Sequence, residues 1–400
     1  MSMGRNYRVL WAGSTAANFG DGISYVAMPL LAAALTNAPM LIAGLPMVYS
    51  VARFLVVLPI GAFVDRFNRR TILWMANLGR SLLLIALAVL VVTGAESILA
   101  LYVAFTLIGL LETAADNSVL SILPTLVRSK DLDKANGQIS ATQLVADEFV
   151  GPPLGGLLFS TAIVLPIAVT GGAYAAAALF FVGMRGKFRP ARIQEPANSL
   201  RRDIFDGASW LAKHRLLRSL AVVSGLASIA YMMPFSILVL FATENLGLNS
   251  ARYGILLSAS ALGGLVGSVI VAPLRRKIGY AAITTGSLVL GSLSLFITFL
   301  TDSPYIAGLS LSAYILHAVL FSVSVSSLRQ RMVPDALRGR VNSVSNLFGL
   351  AGLAIGAGLG GFLATVLSLG APFLAGAMLF VVCATIAWPN LRKWESTPLR

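Results

Sequence analysis

Gly61-Ala62-Phe63-Val64-Asp65-Arg66-Phe67-Asn68-Arg69-Arg70 lies between two apolar stretches, each long enough to cross a bilayer. One acid and three arginines in so short a segment form a charged hairpin. Lys and Arg concentrate on the cytoplasmic side of membrane proteins, so the hairpin is expected there. Everything else in the chain is read outward from this segment.

Composition agrees with a membrane protein. Hydrophobic residues make up 57% and charged residues only 12%, against about 25% charged in soluble domains. A spanning helix needs roughly 20 apolar residues. Twelve stretches qualify: about 9–35, 40–63, 71–94, 97–121, 137–160, 161–184, 219–244, 251–273, 280–301, 304–326, 341–366 and 371–389. The expected class is therefore all-α, with almost no room for a soluble domain.

The net charge of +14 would suggest nucleic acid in a soluble chain. Its distribution argues otherwise. With both termini inside, every Lys and Arg except Arg53, Arg80 and Arg252 falls at a cytoplasmic end. The excess is an orientation signal, and no nucleic-acid partner is expected. The first apolar run is too long for a cleaved signal peptide and reads as a retained span. The single Cys383 excludes an intrachain disulfide. No P-loop sequence occurs, so ATP is not the energy source. Two histidines and no Cys or His cluster imply no metal site, and no cofactor is expected.

The one long hydrophilic stretch, residues 185–218, separates six spans from six. The expected domains are residues 1–184, a linker at 185–218, and residues 219–400. The linker's end, Asp206 to Arg215, reads as an amphipathic helix on the inner membrane surface. The halves repeat at an offset of 206. Gly61 maps to Gly267, Arg69 and Arg70 to Arg275 and Arg276, Asn136 to Asn342, and Gly155 to Gly361. Asp65 maps to Val271, so the second copy has lost its acid.

These features together resemble the major facilitator superfamily of transporters. The hairpin resembles the family's G-x-x-x-D-R-x-x-R-R loop. Gly151-Pro152-Pro153-Leu154-Gly155-Gly156 resembles the G-P-x-x-G-G motif of its antiporters, although Asp147 stands where they carry a further glycine. Asp21 with Ala27 and Pro29 resembles the first-span pattern of multidrug exporters. Glu112-Thr-Ala-Ala-Asp116 and Leu123-Pro124 resemble the macrolide-efflux and enterobactin-exporter branch. Many drug exporters have an arginine in the fourth span, and this chain has none there. The resemblance implies two six-helix bundles related by an axis along the membrane normal, with substrate bound near the midplane. It also implies gating roles for Asp65, Arg66, Arg69 and Asp116, with Asp116 pairing to an arginine of the hairpin and Asp65 meeting a helix N-terminus.

Seven ionisable residues fall within spans: Asp21, Arg53, Arg80, Glu112, Asp116, Asp147 and Glu148. All are in the first half. Each costs about 2.5–3.5 kcal/mol at mid-helix unless compensated. Asp21 shares a polar face with Asn18 and Tyr25 at i−3 and i+4. It is either a pathway acid or the buried partner of Arg53 or Arg80. Asp147 and Glu148 are about 100° apart on a helix, and Gln143 gives Asp147 the more polar face. Two close carboxylates with only two basic residues at that depth suggest that one holds a proton in some state. The alternative is permanent pairing, one to each arginine. Asp21 ranks first for proton coupling and Asp147 second, with Glu148 and Glu112 as further candidates.

Gly352, Gly356 and Gly360 form a stripe at i, i+4, i+8, which lets backbones approach closely in lipid. Gly61 belongs to the hairpin packing motif. Gly151, Pro152, Gly155 and Gly156 do the same in the fifth span and bend it. Both sets are expected to pack against the opposite half. Asn18, Tyr25, Gln143, Tyr231 and His317 are candidates for the substrate cavity, together with Tyr49, Phe105, Phe235 and Phe321. The expected protein is not an enzyme. It is a monomeric, multi-pass protein of the inner cell membrane that exports an amphipathic organic compound in exchange for protons. Drug, macrolide-like or siderophore-like molecules fit that class. Uptake of a small metabolite and a non-transporting scaffold or sensor are the alternatives.

Overall fold

A computed structural model describes residues 4–64, 66–186, 188, 200–334 and 337–396. The described residues are helical almost throughout. In chain order the helices are α1 (Arg5–Leu35), α2 (Pro39–Val64), α3 (Arg69–Thr93), α4 (Ile98–Leu126), α5 (Leu132–Leu144), α6 (Gly151–Thr161), α7 (Val164–Val182), α8 (Leu200–Lys213), α9 (Arg215–Phe235), α10 (Leu238–Leu240), α11 (Ser250–Leu300), α12 (Pro304–Met332), α13 (Arg338–Val366) and α14 (Ala371–Glu395).

Local chemistry sets the ends. Asn68 accepts the Arg70 N–H and starts α3, and Ser97 accepts the Ala100 N–H and starts α4. Gly94, at φ 67°, closes α3 in the left-handed conformation that an L side chain rarely adopts. In α11, Gly279 at φ 84° and ψ 174° breaks the helix into two spans, 250–278 and 280–300.

Among the described residues nine helices are long and apolar enough to cross a membrane. One of them is the broken α11, which counts twice. The more polar α1 and the interrupted run from α5 through α6 complete twelve spans. Large apolar side chains face outward. Leu179 is 73% exposed and Leu309 is 75% exposed, as expected where the surrounding solvent is hydrocarbon.

The interruption in the fifth span is a wide turn over Val145–Val150, with Gly151 N–H donating to the Ala146 carbonyl five residues back. Such single wide turns insert one residue into a helix.

The chain divides into two compact units. The first holds α1, residues 52–64 of α2, α3 to α7, and residues 248–258. The second holds residues 38–51, α8 to α10, α11 from Ala259, and α12 to α14. In the second unit α8 does form, but its apolar face does not serve only as a membrane anchor. Leu211 clusters with Leu217, Val333, Val341 and Val344. Asp206 pairs with Arg340 at 3.2 Å, and a Cβ at Gly207 would lie 2.8 Å from the Arg340 carbonyl oxygen. The amphipathic helix is thus docked on α13.

Candidate functional site

In the first unit, four helices bring five charged side chains into one ladder. Arg80 of α3 is 2% exposed. Its Nη2 donates to Asp21 Oδ1 of α1, to Glu112 Oε2 of α4 at 3.4 Å, and to the Tyr174 hydroxyl of α7 at 2.8 Å. Tyr174 donates in turn to Asp21 Oδ1 at 2.6 Å. The guanidinium carbon also lies 3.9 Å from the Tyr174 ring centroid, within cation–π range. Glu112 continues the ladder to Arg53 of α2, at 3.1 Å. Arg53 reaches Asp116 Oδ2 at 3.8 Å. The charges alternate in sign along Asp21, Arg80, Glu112, Arg53 and Asp116. The ladder runs from a buried end at Arg80 to Asp116, whose side chain is 58% exposed.

Close backbone contact positions the buried end. Asp21 is flanked by Gly20 and Gly22. A Cβ at Gly20 would sit 3.0 Å from the Tyr174 ring, and one at Gly22 would sit 2.8 Å from Asp147 Cα. A Cβ at Gly155 would sit 2.7 Å from the Ile23 carbonyl oxygen. These three glycines let α1 press against α7, the wide turn and α6. The wide turn holds Asp147, with Gln143 four residues before it. Its Oδ1 is buried and accepts no hydrogen bond. Glu148 is exposed, and its carbonyl accepts the Ser258 hydroxyl at 3.0 Å. Among the described residues neither acid has an arginine or lysine within ion-pair distance.

Several expectations are corrected here. Permanent pairing of Asp147 and Glu148 with Arg80 and Arg53 does not occur, because Asp21, Glu112 and Asp116 occupy both arginines. Asp116 pairs with Arg53 and not with an arginine of the 61–70 hairpin. From that hairpin Arg69 reaches the Ser121 carbonyl of α4 at 3.2 Å. Arg66 is exposed, Gly61 lies near the end of α2, and Asp65 lies outside the described residues. His317 is packed inside its helix bundle. It is 2% exposed, bonded through Nδ1 to the Tyr314 carbonyl and packed on Phe380 with ring centroids 4.7 Å apart. Tyr231 stacks on Phe235 and Tyr314, at 4.9 and 5.4 Å. Phe321 is buried, whereas Asn18, Tyr49 and Phe105 are half-buried and Tyr25 is exposed.

The glycine stripe of α13 faces α9, within its own half of the sequence. A Cβ at Gly352 would meet Ser228 Cβ at 2.8 Å, one at Gly356 would meet Ile229 Cα at 3.0 Å, and Gly360 abuts Met233. Gly151 likewise abuts Gly22, while Gly156 and the Pro152 carbonyl face residues 250–254. Tyr174 was not singled out from the sequence. Its signal is a single large polar side chain inside the small-residue run 171–178. The Gly20-Asp21-Gly22 triplet inside a helix is a second legible signal, since glycine there disfavours helix unless packing requires it.

A family model described as Major Facilitator Superfamily matches residues 10–349 and 220–398. The multidrug efflux pump Tap of Mycolicibacterium fortuitum is 27% identical over 400 residues, spanning 97% of this chain and 96% of that protein. The enterobactin exporter EntS of Escherichia coli O1:K1 / APEC is 23% identical over 344 residues, spanning 84% of this chain and 81% of its own. Among solved structures, a bacterial homologue of the human lysosomal transporter Spinster, in an inward-facing and unoccupied conformation, superposes with a TM-score of 0.77 at 16% identity, covering 100% of both chains.

Proposed function

The chain belongs to the major facilitator superfamily, and from that membership we propose that it exports an amphipathic organic compound in exchange for protons. The observation that carries the coupling is the ladder with its surplus acids. Two arginines are already shared among Asp21, Glu112 and Asp116, and Asp147 has no cation within ion-pair distance among the described residues. A proton carrier must be able to gain and lose its charge without stranding a buried arginine. Asp147 meets that condition better than Asp21, whose loss would strip Arg80 of its strongest partner. We therefore assign proton carriage to Asp147. Asp21–Arg80 becomes a pair that opens and closes as the state changes. The direction and the substrate class rest on the names of the relatives, a multidrug pump and a siderophore exporter, and on the G-P-P-L-G-G segment.

The remaining assignments follow the same reading. The transporter is a multi-pass monomer of the inner membrane with both termini inside. The two six-span halves, 1–184 and 219–400, act as the moving bodies, and 185–218 links them. Asp65, Arg66 and Arg69 gate the cytoplasmic side, and Asp116 relays to that side through Arg53.

Inverted membrane vesicles test the proposal. Energised by an inside-acid gradient, they should accumulate at least one of a macrolide, a cationic dye or a catecholate siderophore, and a protonophore should release it. Accumulation of none, or accumulation indifferent to the protonophore, refutes proton-driven export. Substrate entry into right-side-out vesicles down its own gradient would point to uptake instead.

A further inference from the structure

Each unit carries an open groove on its surface. In the first unit it runs between α3 and α7 along Ser81, Ile85 and Val89. In the second it runs between α11 and α14 along Thr285, Val289 and Leu293. A serine spans each floor. Ser81 donates to the Gly171 carbonyl at 2.8 Å, and Ser292 donates to the Ala377 carbonyl at 2.9 Å. The walls are apolar and exposed, with Val289, Leu293 and Val381 on the second groove all open to the surroundings.

The two grooves differ at one end. The second, of ≈ 510 Å³, ends at Trp388. One turn further along α14, the Arg392 guanidinium carbon lies 5.4 Å from the Trp388 ring centroid. Arg392 is exposed, and no acid lies within ion-pair distance of it among the described residues. Among the described residues no aromatic ring and no charged side chain lines the first groove. The residues from Thr285 to Leu293 rise about 12 Å, close to half of a ~30 Å hydrocarbon core. Trp favours the headgroup level of a bilayer. The basic-residue distribution places this end of α14 on the cytoplasmic side.

We propose that the α11–α14 groove is a binding site for one anionic phospholipid of the inner leaflet. Its acyl chain lies along Thr285, Val289 and Leu293, and its phosphate rests on Arg392 where the guanidinium covers Trp388. The first-unit groove takes acyl chains without headgroup selection. This inference concerns a lipid-facing surface and stands independently of the proton scheme.

Trp388 is the built-in reporter. The full chain is reconstituted in phosphatidylcholine vesicles in which a fixed fraction is brominated phosphatidylglycerol or, in parallel, brominated phosphatidylcholine. The Trp388 signal is the difference between the wild type and Trp388→Phe. Phosphatidylglycerol should compete for the site about fivefold better than phosphatidylcholine. At 1.4 kcal/mol per tenfold that is the ~1 kcal/mol a single basic residue contributes at an anionic surface. Arg392→Gln should equalise the two lipids, and Arg392→Lys should keep the preference. Equal quenching in the wild type, or a preference that survives Arg392→Gln, overturns the proposal. Displacement of both lipids by an exported dye would identify the groove as a substrate portal and overturn it as well. Arg392 is exposed, so both Arg392 variants should elute as the wild type does in detergent.

Discussion

Asp147→Asn separates proton coupling from structure more cleanly than any other single change. The amide has nearly the same shape, so the wide turn at Val145–Val150 keeps its packing against Gly22. No arginine loses a partner, because the ladder satisfies Arg80 and Arg53 through Asp21, Glu112 and Asp116. The structural penalty should be about 1 kcal/mol or less, the net value of a single hydrogen bond. The transport penalty should be far larger. One charge moving through 100 mV supplies about 2.3 kcal/mol, enough for roughly a fifty-fold substrate gradient. Without a residue that binds and releases the proton, that gradient should collapse to unity. The assay is accumulation in proteoliposomes under an imposed potential and pH gradient, with substrate counterflow measured in the same preparation. Accumulation should vanish while counterflow persists. If Asp147→Asn still concentrates substrate in a protonophore-sensitive way, the assignment is refuted. If it loses counterflow and melting temperature together, the residue is structural.

Asp21→Asn should behave differently, lowering stability by about 3 kcal/mol, the lower end for a broken buried pair, since Glu112 stays 3.4 Å from Arg80; denaturation in detergent reads this, and an unchanged midpoint argues against the pairing. Gly22→Ala should cost about 1–3 kcal/mol by overpacking the α1 crossing, which thermal unfolding reports, whereas Gly137→Ala, inside α5 with open space around it, should stabilise by about 0.5–1 kcal/mol. Asp65→Asn should slow transport without altering expression, and a wild-type rate would remove Asp65 from the gate. In a Cys383→Ala background, a cysteine at Ser303 should label only from outside the cell and one at Ser129 only from inside, the reverse pattern overturning the orientation.

Hydropathy made the spans legible because lipid tolerates little else in so long a run. Even the break between the eighth and ninth spans, at Gly279, follows from the basic cluster Arg275 to Lys277. Partner choice was not legible. Asp21 could have met Arg53 or Arg80, and only the packing of α1 and α3 on the same helix, α7, selects Arg80. His317 looked available because a lone histidine in a span reads as functional, yet its ring fills space beside Gly291. The apolar face of α8 has the same periodicity whether it meets lipid or α13, so its docking was invisible. The wide turn in the fifth span carries no compositional mark, since any residues can adopt i→i+5 bonding. Asp147 and Glu148 were therefore placed on an ideal helix that the chain does not have.

That turn also behaves like a washer slipped under one thread of a screw. A single surplus residue rotates everything beyond it by about 100° relative to an uninterrupted helix. Gly151 and Gly155 face α1 only because of a spacer upstream of them. In relatives, a one-residue gap near 145–150 should be read as a change of angular phase, not of loop length. Such a relative would need its small residues at shifted positions to keep the same crossing, and alignments that force the motif into register there would compare faces of the helix about 100° apart.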